Sequence, residues 1–286
     1  MSGPPRPPAG GRSIEERYGT LAATGENLSC GATLAAAGVR PGERVVDLGC
    51  GRGAELGRAA ACYGPTGLGV GVDRTPAMLV AASRTIVPDG PRWFVRGDLE
   101  RLPLASASCD VVLSSCAINH ARDKLAVYRE IARILRPGGR FVVADIVAEQ
   151  ELPPSVREDP EAVAGCWGGA IPEAELRAIL AAAGFPEPEL LRRSEVYERH
   201  GVQLRSLTLR GSKAAWPPGP PGRHEPRPIP GRGGTMANLE LSQEELNLLA
   251  LSLEHCLTTC KHAQSPCPDC ERARALLARI HEEQAP

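Results

Sequence analysis

The sequence predicts an α/β fold: a parallel sheet with helices on both faces, followed by a small, cysteine-rich helical hairpin. Three observations carry that expectation. Short apolar runs alternate with helix-patterned segments from about Arg40 onward, a Pro- and Gly-rich stretch interrupts the pattern after residue 213, and two short helical patterns follow it.

The alternation can be followed element by element. ERVVDLG reads as a buried strand, AELGRAAACYG as a helix, and GLGVGVD as a second strand. TPAMLVAASRTI continues as a helix, RWFVRGD and CDVVLSSC as strands, and DKLAVYREIARIL as a helix that PGG ends. RFVVADIV is the next strand and PEAELRAILAAAGF a helix with a terminal glycine. Weaker strands near Glu189–Arg193 and Leu204–Arg210 complete the sheet. Residues 1–12 are a Pro/Gly/Arg tail, and 13–213 form the main domain. Residues 214–234, AAWPPGPPGRHEPRPIPGRGG, cannot build a core and read as a spacer. Residues 235–286 form the hairpin, opened by a capping signal, Ser242 followed by Glu245.

Composition narrows the function classes. A net charge of -1 over 286 residues creates no field that favours nucleic acid or an anionic membrane. No run approaches the roughly 20 apolar residues of a membrane span, and the first residues, MSGPPRPPAGGR, lack the apolar centre of an export signal. Ten cysteines therefore read as free thiols and metal ligands of a cytoplasmic protein rather than as a disulfide framework.

Chemistry concentrates at the strand ends. Asp47-Leu-Gly49-Cys-Gly51-Arg-Gly53 occupies the turn from the first strand to the first helix, where glycines allow a tight turn and close approach of backbone to ligand. The spacing Gly49-x-Gly51-x-x-Ala54 also fits a dinucleotide fingerprint. Asp47 decides against it, because a carboxylate at this position repels pyrophosphate and suits a ligand bearing an ammonium group, such as S-adenosylmethionine. Asp73, closing the second strand, can accept both ribose hydroxyls, and Asp98, in Gly97-Asp98-Leu99 after the third, can receive an adenine amino group. Each acid alone is an ordinary cap or turn residue. Three at successive strand ends, beside a glycine loop, point to a nucleoside site.

DLGCGRG, GVD, GDLERLP and LRPGGRFVVAD resemble the motifs of class I S-adenosylmethionine-dependent methyltransferases, which implies a Rossmann-like sheet and that cofactor. YGTLAATGENLSCG, SSCAIN and ELPPSVREDPEAVAGCWGGAIPEAELRAILAAAGF resemble the arsenite methyltransferases more narrowly. That resemblance implies Cys166 as an arsenic-binding thiol and Cys30 as a redox cysteine. It also shows departures: Leu56 stands where that family has another cysteine, and His200 stands near the place of a later one. His120, at the fourth strand's end, is a candidate general base or a helix cap. Cys50, Cys109 and Cys116 are expected to be structural. The acceptor is a metalloid or an organic small molecule, and a non-catalytic sensor on the same scaffold is the reading from a different class.

Cys256-x3-Cys260 and Cys267-x2-Cys270 face one another across the hairpin mouth, a set suited to tetrahedral zinc, with helix–helix disulfides as the rival arrangement.

Overall fold

The computed structural model describes residues 14–24, 33–84 and 90–215, with Arg274 and Ala278 beyond them. The chain divides into two compact units, Met1–Ala215 and Trp216–Pro286, and the architecture below belongs to the first. Its elements run α1 (Ile14–Thr24), α2 (Thr33–Ala37), β1 (Arg44–Leu48), α3 (Ala54–Tyr63), β2 (Leu68–Asp73), α4 (Pro76–Ser83), β3 (Arg92–Arg96) and β4 (Cys109–Ser115). They continue with α5 (Lys124–Ile134), β5 (Leu135–Ala148), α6 (Pro154–Arg157), α7 (Pro160–Ala164), α8 (Glu173–Ala182), β6 (Glu189–Arg193), β7 (Tyr197–Arg199) and β8 (Val202–Ser212).

The sheet order is β3-β2-β1-β4-β5-β8-β6, with β7 on β8. The first five strands of this path are parallel, whereas β8 runs antiparallel to β5 and to its other neighbours, β6 and β7. The expected α/β architecture is therefore present, with its central strands buried on both faces. Alternation within a strand assigns each residue to a layer. Val46, Leu48, Val112, Phe141 and Val143 pack with Val127 and Ile131 of α5 and Leu176 and Leu180 of α8. Val45, Val111, Leu113 and Val142 face the other way, against Leu56, Ala59 and Tyr63 of α3. Gly69 lets α3 close on β2: a Cβ there would lie 2.5 Å from the Tyr63 hydroxyl and 2.9 Å from Leu56.

Two boundaries differ from the sequence reading. α5 stops at Ile134, because the residues leading into Pro137 are steered out of the helical region, and Leu135 already has φ -66° and ψ 137°. The segment around Pro137-Gly138-Gly139 lies inside β5, where the register against β4 shifts between Cys109↔Leu135 and Val111↔Arg140. The short β7, the 11-residue α1 and the small helices α2, α6 and α7 were not assigned from sequence. Among the described residues no helix is long and apolar enough to cross a membrane. Cys30 and the four hairpin cysteines, Cys256, Cys260, Cys267 and Cys270, lie outside the described residues.

Phe141 is fully buried, edge-on to Phe185 with ring centroids 4.8 Å apart and tilted against Tyr128 at 5.9 Å. Phe141→Ala should cost about 3–5 kcal/mol in urea unfolding. A loss below about 1 kcal/mol would show that this layer does not carry the fold.

Candidate functional site

β1, β2 and β3 end at one edge of the sheet and deliver Asp47, Asp73 and Asp98 there. The three acids are not equivalent. Asp47 is buried, at 3 % exposure. Burial, then the charges of Glu55 and Asp73, push its pKa well above the ordinary carboxylate range, with only Arg58 opposing them. Glu55 is itself buried, at the start of α3, and accepts from the Thr33 hydroxyl, the Leu34 N–H at 2.9 Å and the Ser115 hydroxyl at 3.0 Å. Asp73 is half-buried and is aimed by two amides, from Gly51 at 2.9 Å and Thr75 at 2.8 Å. Burial raises its pKa, while those hydrogen bonds and His120 pull it down. Asp98 is exposed and accepts the Glu100 N–H in a local turn, followed by the half-buried Leu99.

The glycine turn spans the point where strand order reverses, between β1 and β4, the usual place for a ligand in an open α/β sheet. Gly49 has φ 69°, and a Cβ at that position would collide with Ala117 just past β4. Gly51 and Gly53 also have positive φ, at 50° and 71°. The resulting cradle is closed by backbone and rimmed by carboxylates. A pyrophosphate would meet an unfavourable field here, whereas an ammonium or sulfonium group would relieve one of the costliest features of the fold, a buried acid beside two others. The chemistry of this acid-rimmed, backbone-lined cradle therefore fits S-adenosylmethionine.

Across the same edge lies a second cluster. The Cys166 Sγ stands 3.0 Å from His120 Nε2, 3.5 Å from the Tyr18 hydroxyl and 2.8 Å from the carbonyl oxygen of Cys116. Tyr18 Oη is also 3.0 Å from His120 Nε2, with the two rings edge to face. A hydrogen bond from the Cys116 side chain, opposed by burial, together with the hydrogen bond and charge of His120 and the Tyr18 hydroxyl, holds the Cys166 thiol well below its ordinary range. Burial disfavours the His120 cation, yet its hydrogen bond to Cys166, then the charges of Cys166 and Asp145 and the Val163 backbone, raise it above the usual histidine value. Burial and the Cys166 charge raise the Tyr18 phenol, which stays a donor. Asp145 supports the cluster from β5. It accepts the Asn119 N–H at 3.1 Å, and burial, then the Cys166 charge, push it up to about 7.

The remaining candidates fall in several places. His120 does not cap α5; Asp123 does, accepting from Ala126 at 3.0 Å. Cys116 was expected in the core, but it is only half-buried and faces Cys166, because the chain turns at φ 54° as it leaves β4. Cys50 and Cys109 are buried thiols raised by burial, Cys109 to about 12 and donating to the Ile134 carbonyl. Leu56 is enclosed in the α3 layer, and His200 is exposed, stacked on Trp167 at 5.2 Å. Tyr18 was not singled out from sequence; its place in YGTLAATGENLSCG was the one available signal.

Residues 40–184 match a family model described as a methyltransferase domain. The chain is 38% identical over 173 residues to the arsenite methyltransferase of Halobacterium salinarum, covering 60% of this chain and 44% of that protein. It is 34% identical over 170 residues to that of Aquipseudomonas alcaligenes, covering 56% and 49%. The chain thus spans less than half the length of these two relatives. The crystal structure of an arsenic(III) S-adenosylmethionine methyltransferase from Chlamydomonas reinhardtii superimposes with a TM-score of 0.58 at 28% identity, over 73% of this chain and 75% of that one.

Hydrogen bonds and the His120 charge lower the Cys166 thiol below the range of an ordinary thiol. Its alkylation rate, followed by peptide mass, should hold as pH falls below the ~8.5 midpoint of an ordinary thiol. In His120→Ala the midpoint should move up, because the stabilising imidazolium is gone. A wild-type midpoint at or above that of a free thiol would contradict the pairing.

Proposed function

The chain belongs to the methyltransferase domain family, as a class I S-adenosylmethionine-dependent member, and on that premise we propose that it transfers a methyl group to a small thiophilic acceptor bound at Cys166. The names of its relatives point to arsenite as that acceptor. The single observation that supports the reading is the Cys166–His120–Tyr18 cluster, which stands on the same strand edge as the acid-rimmed cradle.

The cofactor, when bound, supplies an already activated methyl group. The chain's own residues have simpler tasks. Asp47 compensates an ammonium, Asp73 accepts from ribose hydroxyls and Asp98 from an adenine amino group. Cys166 offers a soft ligand, and His120 Nε2 takes its proton and keeps the thiolate charge-paired. The buried walls, Ile118 and Trp167 among them, exclude water from the reacting atoms. A soft acceptor of this kind carries its own electron pair, so no further base is required of the chain. The redox role of Cys30 and the binding of zinc by Cys256, Cys260, Cys267 and Cys270 belong to the same proposal, as accessory functions of residues beyond the site described.

Methyl-labelled cofactor, offered with arsenite and with a panel of phenols, amines and thiols, tests the reading. Label should appear on arsenic. Cys166→Ser should cut the rate by at least about tenfold, a loss of ~1.4 kcal/mol in the barrier, while cofactor affinity stays unchanged. Transfer only to an organic acceptor, at an undiminished rate in Cys166→Ser, would replace the metalloid reading. No transfer to any acceptor would favour a ligand-sensing scaffold.

A further inference from the structure

We propose that Cys116 and Cys166 together form a two-thiol site for a trivalent thiophilic centre such as arsenite, with Cys116 as the second sulfur ligand. The inference rests on the acceptor reading above and names a ligand that the sequence had placed in the core.

Backbone conformation carries the first part of the case. Among the described residues, only Ala107, Cys116, Cys166 and His200 have positive φ without being glycine. Cys116, at 54°, and Cys166, at 71°, are 50 residues apart in sequence yet meet each other. A left-handed turn is costly for any residue with a Cβ, and glycine would satisfy both turns without it. Strain of this kind clusters at active sites and ligand clamps. At these two positions the side chain is a thiol.

The other sulfurs of the described residues are placed elsewhere. Cys50 and Cys109 are buried in their own surroundings, Cys109 bonded to the Ile134 carbonyl, and Cys62 is exposed on α3. Leu56 is sealed among Ala59, Tyr63 and Val111. Cys116 is half-buried, its carbonyl oxygen lies 2.8 Å from the Cys166 Sγ, and its side chain helps to lower the Cys166 thiol. No group of three His, Cys, Asp or Glu side chains among the described residues is arranged to hold a metal ion. Two converging sulfurs without a third or fourth ligand do not suit a tetrahedral divalent cation. They do suit a trivalent centre that forms covalent bonds to sulfur and keeps its third substituent.

The binding step balances without oxidant or reductant. Arsenous acid carries three hydroxyls. Each thiol replaces one of them, forming an arsenic–sulfur bond, and the displaced hydroxide leaves with the proton of that thiol. Two waters depart, one hydroxyl remains on arsenic, and arsenic stays trivalent. His120 Nε2, 3.0 Å from Cys166, can relay one of the two protons.

Phenylarsine oxide, which bridges neighbouring thiols, is the probe. The reduced full-length protein is treated with it, alkylated, and mapped by peptide mass. Cys116 and Cys166 should be protected together, and Cys116→Ser should weaken protection of Cys166 by at least about tenfold. Cys116→Gly should lose protection equally while melting no lower than the native protein, because glycine relaxes the left-handed turn. Undiminished protection of Cys166 in either variant, or protection confined to Cys256, Cys260, Cys267 and Cys270, would overturn the site. Arsenite turnover that ignores Cys116 would remove this ligand and leave the acceptor reading standing. Probe binding to both thiols without methyl transfer to arsenite would do the reverse.

Discussion

The in-register parallel pairing of β1 with β2 on one side and β4 on the other is the constraint from which the site hangs. Asp47 pairs with Gly71 and Leu113, so the turns that follow β1, β2 and β4 emerge at one edge. A slip of one residue would send every alternating side chain to the wrong layer, Val45 and Val46 first, and would separate the acids from the thiols. The core therefore fixes the chemistry: burial of Val112, Leu113 and Phe141 holds Ala117 beneath Gly49 and leaves Cys116 just beyond the last strand residue. Helix packing alone could not set positions to that precision.

Two opposite electrostatic designs then share this edge. On one side burial and mutual repulsion make the carboxylates of Asp47 and Asp73 reluctant to ionise, a cost that a cationic ligand would offset. On the other, the His120 imidazole and the Tyr18 phenol lower the Cys166 thiol, so a negative charge there would have partners. The same low-dielectric surroundings enlarge both effects. The third cluster of the core, built on Leu152, Ala162, Trp167 and Leu204, supports the loop that carries Cys166. Asp145 ties the turn bearing His120 to β5. The thiol cluster is thus assembled from α1, the end of β4, β5 and the segment after α7, whereas the acid-rimmed cradle comes from consecutive βα units.

That difference in assembly explains what could be read in advance. VVDL, VGV, VVL and FVVA are apolar runs too short for helices and too buried for loops, so the central strands were legible, and with them the acids at their ends. The glycine turn was legible for the same local reason. β7 has three exposed residues and no apolar face, and α6 and α7 are a single turn or little more, so neither offers a period to detect. In the thiol cluster, Cys166 and His120 were singled out by resemblance and position, but Tyr18 lies 102 residues from His120, and no local pattern links them. Cys116 was misplaced because β4 suggested a core residue, and the backbone reversal at its end has no signature in SSCAIN.

Titration calorimetry on the full-length protein measures whether the acid-rimmed edge is built for a cationic nucleoside. S-adenosylmethionine should bind at micromolar affinity, about -8 kcal/mol, with nicotinamide dinucleotides giving no measurable heat at the same concentrations. Tighter binding of a nicotinamide dinucleotide would show that this edge is built for pyrophosphate instead.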